Sequence, residues 1–287
     1  MGERSILEET KADPLINPQI KGRARKKGRR RRLLNIEIFI TLSTFLLIAA
    51  VWYVVTKFEV VSSLIMPSPG SVIQSFQEVF STGYKGISLS VHVLDSMKRL
   101  LAGFIAAAVL GILLGLASGY SSKVRAVFDP IVEFYQALPP LAYYTVLIIW
   151  FGIGDLSKVV LLFFAAFAPV FIASMAGVKN IKMEYIQGAY NLGANKWQVF
   201  RHIILPASLS YIFTGLRTSM AASYGTLVAA EMVAGVSGLG WMVNDASRFL
   251  RSDVIFMGLI VMGVISIILD RSLRFAEAKA VPWKGKD

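Results

Sequence analysis

The sequence QGAYNLG at residues 187–193, followed by IILP at residues 203–206, is a polar interruption between two long apolar runs at 159–178 and 218–243. Apolar side chains recur within the interruption at every third or fourth position: Ile186, Ala189, Tyr190, Trp197, Phe200 and Ile204. This spacing predicts an amphipathic helical region. Gly193 and Ala194 in its middle predict the end of one helix and a sharp turn into the next. Pro206 suits the first turn of a following helix.

Apolar runs on both sides of this stretch are long enough to cross a bilayer, whose core of about 30 Å needs roughly 20 apolar residues per helix. The chain is 55% hydrophobic and 17% charged, against about a quarter charged in soluble domains. We therefore predict an all-α membrane protein with six transmembrane helices rather than a soluble domain with buried helices. The predicted spans are about 36–56, 99–120, 131–151, 157–178, 207–234 and 253–271.

The predicted membrane domain covers residues 35–276, and residues 183–204 form its connecting helices. Residues 1–34 are predicted to be a basic, disordered tail, because they combine high charge with no hydrophobic periodicity. Residues 277–287 are predicted to be a C-terminal tail. A polar two-helix connection is more than two spans need, so we interpret residues 183–204 as a docking surface for a soluble partner.

Positive charge is concentrated on one side of the predicted spans. Of the 30 Lys and Arg residues, 23 fall in the N-terminus, the segments after spans 2 and 4 and the C-terminus, where Arg217 and Arg271 at the ends of the apolar runs are counted with these segments, and 7 fall on the other side. Because cytoplasmic segments are enriched in Lys and Arg, both termini and the docking surface are predicted to be cytoplasmic. The basic run RARKKGRRRR at residues 23–32 precedes the first span, where contact with anionic lipid is a simpler account than a nucleic-acid-binding arm.

Three local patterns complete the membrane domain. Residues 69–81 carry apolar side chains at helical spacing and predict a short amphipathic helix at the outer interface. Gly111, Gly115 and Gly119 form a small-residue face on span 2, interpreted as packing within the chain in preference to a subunit interface. Pro139 and Pro140 interrupt span 3, and such breaks are tolerated where protein or a water-filled cavity satisfies the freed backbone groups.

The motif at residues 187–206 resembles the cytoplasmic coupling motif of permeases of ABC importers. That motif runs Glu-Ala-Ala, three residues, Gly, nine residues, then Ile-x-Leu-Pro. This chain keeps the full spacing, with QGA at 187–189, Gly193 and IILP at 203–206, and departs from it at Gln187 and Gly188. The resemblance implies that the coupling residues are Gln187, Gly188, Ala189, Gly193, Ala194, Ile203, Leu205 and Pro206.

Further motifs are similar to permeases of the taurine, aliphatic-sulfonate, nitrate and bicarbonate importers, most of all those for taurine. They are PSP at 67–69, LPPL at 138–141, IWFGIG at 149–154, FAP at 167–169, LVAAE at 227–231, GLG at 238–240 and VPW at 281–283. The resemblance implies a type I importer permease fold in the bacterial inner membrane. It also implies a second copy of this chain, two ATP-binding subunits that carry ATP and Mg²⁺, and a soluble or lipid-anchored substrate-binding protein. The chain itself is then not an enzyme, and it contains no phosphate-binding loop of the G-x-x-x-x-G-K-[ST] type.

Glu231 is the one acid deep in an apolar run, and such residues usually face a partner or a cavity. We predict a structural role in which Glu231 pairs with Arg99 or a backbone donor. Candidates for lining the translocation pathway are polar or helix-breaking residues for which packing is an equal alternative: Gln136, Pro139, Pro140, Tyr143, Tyr144, Ser223, Tyr224 and Thr226. With no cysteine, and with His92 and His202 predicted near opposite faces, we expect no metal site or cofactor in this chain.

The predicted function is uptake of a small organic anion or zwitterion, taurine or another alkanesulfonate. Nitrate, bicarbonate or a vitamin precursor remain alternatives within the same family. An ion-driven secondary transporter would be expected to carry paired intramembrane charges and repeated broken helices, and a membrane-embedded enzyme would need a cluster of His, Cys or acidic residues at depth. Neither pattern is present in the sequence.

Overall fold

The structure is a computed structural model that describes residues 39–283, and the regular structure within this range is helical apart from an isolated bridge between Tyr84 and Ile87. The predicted N-terminal tail at residues 1–34 and the last four residues, 284–287, lie outside the described residues. The chain divides into two compact units, Met1–Pro69 and Gly70–Asp287.

The first unit contains helix α1, Phe39–Lys57. The helix matches the span predicted at about 36–56, of which residues 36–38 lie outside the described range. The Trp52 indole Nε1 donates to the Pro67 carbonyl oxygen at 3.0 Å. This contact folds the turn-rich segment after α1 back toward the helix.

The second unit holds ten helices among the described residues, beginning with α2 at the boundary between the units. They are α2 (Pro69–Ser81), α3 (Leu89–Tyr120), α4 (Ser122–Gln136), α5 (Pro140–Phe151), α6 (Asp155–Lys179), α7 (Met183–Asn191), α8 (Lys196–Val199), α9 (Leu205–Ala234), α10 (Leu239–Arg248) and α11 (Ser252–Ala280), with a π-helical turn, Phe200–Ile204, between α8 and α9. The amphipathic helix predicted at residues 69–81 is confirmed as α2.

Helices α3 and α6 form the centre of the second unit, because the glycines of α3 let the two backbones approach closely. A Cβ atom at Gly115 would lie 2.5 Å from the Phe171 carbonyl oxygen, and one at Gly119 would lie 2.6 Å from Val178 Cβ. Gly111 faces Val170 in the same way. The small-residue face predicted from the sequence therefore packs within the chain, on α6.

The span predicted at 131–151 is divided. Helix α4 ends at Gln136, α5 begins at Pro140, and their axes differ by 102°. Pro139 precedes α5 and Pro140 opens it, where a missing N–H removes no helical hydrogen bond. Within the described residues, five helices are long and apolar enough to cross a membrane, and this bent pair makes six if it counts as one span.

Three boundaries differ from those predicted. Helix α3 begins at Leu89 rather than near 99, and α11 continues to Ala280, past the predicted start of the C-terminal tail at 277. Pro206 lies in the first turn of α9, as predicted, but no break precedes it, because α8, the π-helical turn and α9 form one continuous helix, Lys196–Ala234. A π-helical turn inserts an additional residue without interrupting the helix.

The helical bundle of the second unit has two ends, which differ in the elements that meet there. At one end, α10 packs beside the start of α3, the end of α9 and the start of α11, and the start of α6 is joined to the same region through Arg99 and Asp155. We call this the α10 end. At the other end, a buried apolar cluster joins the ends of α3 and α6 to α8 and the start of α9: Leu116, Val178, Val199, Ile204 and Ile212. We call this the hairpin end, after the α7–α8 pair that packs on this cluster.

Candidate functional site

The α7–α8 pair is anchored to the helical bundle by its inner face. Ile186 and Ala189 of α7, Ala194 of the turn, and Phe200 just after α8 pack on the buried cluster at the hairpin end. Burial of apolar side chains is the main force that holds such a short helix in place, since nine residues are too few for a stable isolated helix. The pair is therefore a fixed feature of the surface.

The turn between α7 and α8 has the geometry predicted for it. Gly193 has φ +84°, its N–H donates to the Tyr190 carbonyl at 2.9 Å, and the Ala194 N–H donates to the Ala189 carbonyl at 3.0 Å. Such left-handed glycines commonly end helices. Asn195 then caps α8, accepting from the Gln198 N–H at 2.9 Å while its own N–H donates to Gln198 Oε1 at 2.8 Å.

The outer face of the pair carries large apolar side chains that point away from the bundle. Leu192 is 90% exposed, Trp197 64%, Met183 62% and Tyr185 61%. We call these four residues the hairpin surface. Exposed apolar side chains grouped on an otherwise polar element mark an interaction site. Trp197 shares the apolar spacing of Ile186 and Ala189, but unlike them it is exposed and does not pack on the bundle.

The residues implied by the coupling motif divide into two groups. Gln187, Gly188 and Gly193 are exposed beside the hairpin surface, while Ala189 and Ala194 are half-buried beneath it. Ile203, Leu205 and Pro206 are half-buried at the base, where the pair joins α9. A groove of about 410 Å³ lies between the exposed and the half-buried groups. It is lined by Ala189, Leu192, Gly193, Ala194, Gln198, Val199, His202 and Ile203.

A second polar site lies at the α10 end, centred on Glu231, which is fully buried. Its carboxylate accepts from Arg99 Nη1 at 2.8 Å, from Ser96 Oγ at 2.8 Å and from the Gly240 N–H at 2.9 Å. The Glu231–Arg99 ion pair predicted from the sequence is present, together with a backbone donor. A buried carboxylate with this many donors is compatible with an apolar surrounding, whereas an unpaired one is not.

Arg99 connects Glu231 to three further groups. Nε donates to Asp155 Oδ1 at 2.6 Å, Nη1 also donates to the Ser237 carbonyl at 3.0 Å, and Nη2 donates to Ser237 Oγ at 2.9 Å. We call Arg99, Glu231, Ser96, Ser237 and Asp155 the charge cluster. It joins α3, the start of α6, the end of α9 and the loop to α10, and Asp155 and the two serines were not identified from the sequence.

The loop between α9 and α10 closes over Glu231 because its glycines leave room for it. Gly238 has φ +113°, and a Cβ atom there would collide with the Glu231 carboxylate. The Gly238 N–H donates to His92 Nδ1 at 3.1 Å, and the Leu239 N–H donates to Ser96 Oγ at 3.0 Å. The GLG motif at 238–240 thus has a packing role that its composition alone does not reveal.

An ion pair outside the membrane-spanning helices ties α10 to the turn before α3. Asp245 accepts from Lys85 Nζ at 2.7 Å and from the Tyr84 hydroxyl at 2.9 Å. Burial and this hydrogen bond to Asp245 raise the pKa of Tyr84 to about 12. Although burial acts in the opposite direction, hydrogen bonds from Lys85 and Tyr84 lower the pKa of Asp245 below its usual value.

The candidate pathway residues do not converge on one surface of the chain. On α9, Ser223 Oγ faces the Leu162 carbonyl of α6, the Tyr224 hydroxyl donates to the Met262 carbonyl of α11 at 3.0 Å, and Thr226 bonds its own helix. Tyr144 is buried, Tyr143 is half-buried, and Gln136 is exposed beside the Pro139–Pro140 break. Their pathway role stays a prediction. Over residues 39–283 no group of three His, Cys, Asp or Glu residues could hold a metal ion.

Comparisons with known proteins find similarity to membrane components of transport systems. The family described as "Binding-protein-dependent transport system inner membrane component" matches residues 107–281. The taurine transport system permease protein TauC of Escherichia coli is 37% identical over 95% of this chain and 98% of its own length. The putative aliphatic sulfonates transport permease protein SsuC of Bacillus subtilis is 31% identical over 83% of this chain and 84% of its own length.

A solved structure of the MetNI methionine ABC transporter, in inward-facing conformations, has a similar fold. Its TM-score is 0.56 at 18% identity, over 68% of this chain and 94% of that one. At this level of identity the likeness concerns the helical architecture alone.

Proposed function

The chain belongs to the family of binding-protein-dependent transport system inner membrane components, and from this premise we propose that it is the permease subunit of an ATP-driven importer for taurine or another alkanesulfonate. The substrate class is supported by similarity along nearly the whole chain to a taurine permease and along most of it to an aliphatic-sulfonate permease. Residues 107–281, which match the family, include both the hairpin surface and Glu231.

The proposed mechanism is based on the continuous helix Lys196–Ala234. Its first turns form part of the hairpin surface, and Glu231, near its last turn, lies in the charge cluster at the opposite end. A partner that pushes the hairpin surface therefore moves a single rigid element whose far end is tied to α3 and α6 through Arg99. ATP-dependent motion at one end is transmitted to the other end in this way.

The partners follow from this mechanism. Two copies of the chain form the translocation pathway, one ATP-binding subunit docks on each hairpin surface, and a substrate-binding protein delivers its ligand to the α10 end. ATP and Mg²⁺ reside on the ATP-binding subunits, and this chain is not an enzyme. The hairpin end, like both termini, faces the cytoplasm of a bacterial cell.

Docking on the hairpin surface is tested by Gly193→Val. A β-branched residue cannot readily adopt φ +84°, although space for a side chain is available at this position. The turn should therefore rearrange, and the ATP-binding subunit should co-purify poorly and lose its stimulation by the loaded substrate-binding protein. Gly86→Val is the matched control for co-purification, since Gly86 has φ +80° and open space but lies at the α10 end, away from the hairpin surface.

Wild-type stimulation and uptake in Gly193→Val would contradict the docking proposal. The substrate class is tested separately, by uptake of taurine and of nitrate into vesicles that contain the complete importer, together with binding of both compounds to the cognate substrate-binding protein. Uptake of nitrate without taurine would leave the permease proposal in place and overturn the sulfonate one.

A further inference from the structure

The α10 end contains more buried positive than buried negative charge. Arg99 is 4% exposed, Lys158 is 2% exposed, and the buried acid among them is Glu231. Lys158 lies within electrostatic range of Arg99, Asp155 and Glu231. A buried cation without a counterion is strongly unfavourable. The second negative charge comes from the surface, where Asp155 contacts Arg99 Nε at 2.6 Å.

Asp155 is held less tightly than the rest of the charge cluster. Its side chain is 68% exposed, against 5% for the side chain of Arg99. It is the first residue of α6 and follows a loop in which Gly152 has φ +82° and Gly154 has open space around it. Such glycine-flanked loops can absorb a change in backbone angles, so the carboxylate can move while Glu231 stays in place.

Two donors near Arg99 have unused hydrogen-bonding capacity. Lys158 Nζ has three N–H groups and makes one hydrogen bond among the described residues, to the Gly154 carbonyl at 3.1 Å. The Tyr144 hydroxyl is buried, lies in electrostatic range of Arg99 and close to Ser157, and makes no hydrogen bond of good geometry within residues 39–283. Asp95 reaches the cluster through the Ser237 hydroxyl at 2.8 Å, so it does not occupy these donors.

We propose that Asp155 stands in for the anionic group of the substrate, and that a monoanionic sulfonate replaces it on Arg99 and Lys158 when the first turn of α6 moves away. The inference rests on the proposed function, which supplies the sulfonate as ligand. Exchange of one monoanion for another keeps the buried charge balanced. The three oxygens of a sulfonate can accept from Arg99 Nε, Lys158 and Tyr144. An ammonium group on the same molecule, as in taurine, can face the released Asp155 carboxylate.

The experiment uses the permease with its ATP-binding subunits in lipid nanodiscs, without the substrate-binding protein, and methanesulfonate as the probe. Asp155→Asn removes the competing carboxylate, so it should bind methanesulfonate at least about tenfold more tightly than the wild type, the size expected when one charge-assisted hydrogen bond no longer has to be broken. Asp129→Asn, a matched change on α4, should bind like the wild type. Adding Lys158→Met to Asp155→Asn should abolish the gain.

Unchanged or weaker methanesulfonate binding in Asp155→Asn would overturn the proposal. Cysteine labelling provides a second measurement in case Asp155→Asn assembles poorly. The chain has no cysteine, so a single introduced cysteine can be labelled cleanly. Asp155→Cys should react with a sulfonate-bearing thiosulfonate reagent faster, relative to a trimethylammonium-bearing one, than Ile153→Cys does. An excess of about tenfold in this ratio is expected from local attraction, and equal ratios at the two positions would contradict it.

Uptake by the wild-type importer separates the two proposals. If taurine is transported but neither Asp155 variant behaves as stated, the anion exchange alone is wrong. If nitrate is transported instead, while Asp155→Asn binds methanesulfonate and nitrate more tightly, the substrate class is wrong and the exchange stands.

Discussion

The charge cluster and the hairpin surface lie at opposite ends of the same helix and are built in opposite ways. Glu231 is fully buried and accepts from two side chains and a backbone N–H. Leu192 is 90% exposed and protrudes from a turn. Glycines at the two ends also differ in the space around them. A Cβ atom at Gly238 would meet the Glu231 carboxylate, whereas one at Gly188 would have nothing within 4 Å.

This difference indicates that the two ends contribute different properties. The charge cluster is complete within one chain, so its residues should determine the stability of the second unit. The hairpin surface is the proposed docking site of a partner, so its residues should affect association and hardly affect stability. Substitutions matched between the two ends can test this distinction.

The largest effect is expected for Arg99→Met. It leaves Glu231 buried without a counterion, which should lower the free energy of unfolding by about 3–5 kcal/mol. Unfolding of the purified chain in mixed micelles would measure the loss. Combining Arg99→Met with Glu231→Met removes both charges and should recover most of the stability; a single variant as stable as the wild type would show that the ion pair is not structural.

Gly238→Ala should destabilise the chain by about 2–4 kcal/mol, because it adds backbone strain at φ +113° to a collision with Glu231. Gly188→Ala, on the exposed helix α7, should be neutral or stabilising by up to about 1 kcal/mol. Thermal unfolding of the two variants side by side measures the contrast. Equal effects would mean that the crowding around Gly238 does not contribute to stability.

Trp197→Ala should change the free energy of unfolding by less than about 0.5 kcal/mol. It should weaken binding of the ATP-binding subunit by about 2 kcal/mol, as expected for an exposed aromatic at the centre of an interface. Titration of the purified subunit onto the permease in nanodiscs gives the affinity. Phe249→Ala is the control, since Phe249 is 62% exposed at the α10 end and its removal should leave that affinity unchanged.

The smallest effect concerns the Asp245–Lys85 pair on the rim of the α10 end. Asp245→Asn should lower stability at pH 7 by up to about 1 kcal/mol, the range for partly exposed ion pairs. Because the folded-state pKa of Asp245 is lowered, its contribution is present above the ordinary value of 3.8 and is lost as the pH falls through the folded-state pKa. Unfolding midpoints of wild type and variant should therefore converge in acid, and a difference that persists there would exclude this ion pair as its cause.

Local and pairwise features of both ends could be predicted from the sequence. The glycine turn at 193, the packing of the α3 glycines and the Glu231–Arg99 pair each follow from residue type and spacing. The orientation of Trp197 could not be predicted, because periodicity identifies an apolar stripe but not what covers it, and the π-helical turn at Phe200–Ile204 shifts the helical phase directly after α8. Lys158 was missed because a lysine at the end of an apolar run is usually an interfacial residue.

The sequence by itself determined the class of this protein, since charge-free runs of bilayer length and the spacing of the motif at 187–206 depend only on the order of residues. The tertiary structure decided which side chains meet. Asp155 and Glu231 are 76 positions apart in the chain and share one guanidinium, and no local pattern encodes that contact. Likewise, the helix that begins under the hairpin surface reaches the charge cluster because the π-helical turn lets it continue, and the proposed transmission of motion from the polar stretch at 187–206 depends on this continuity.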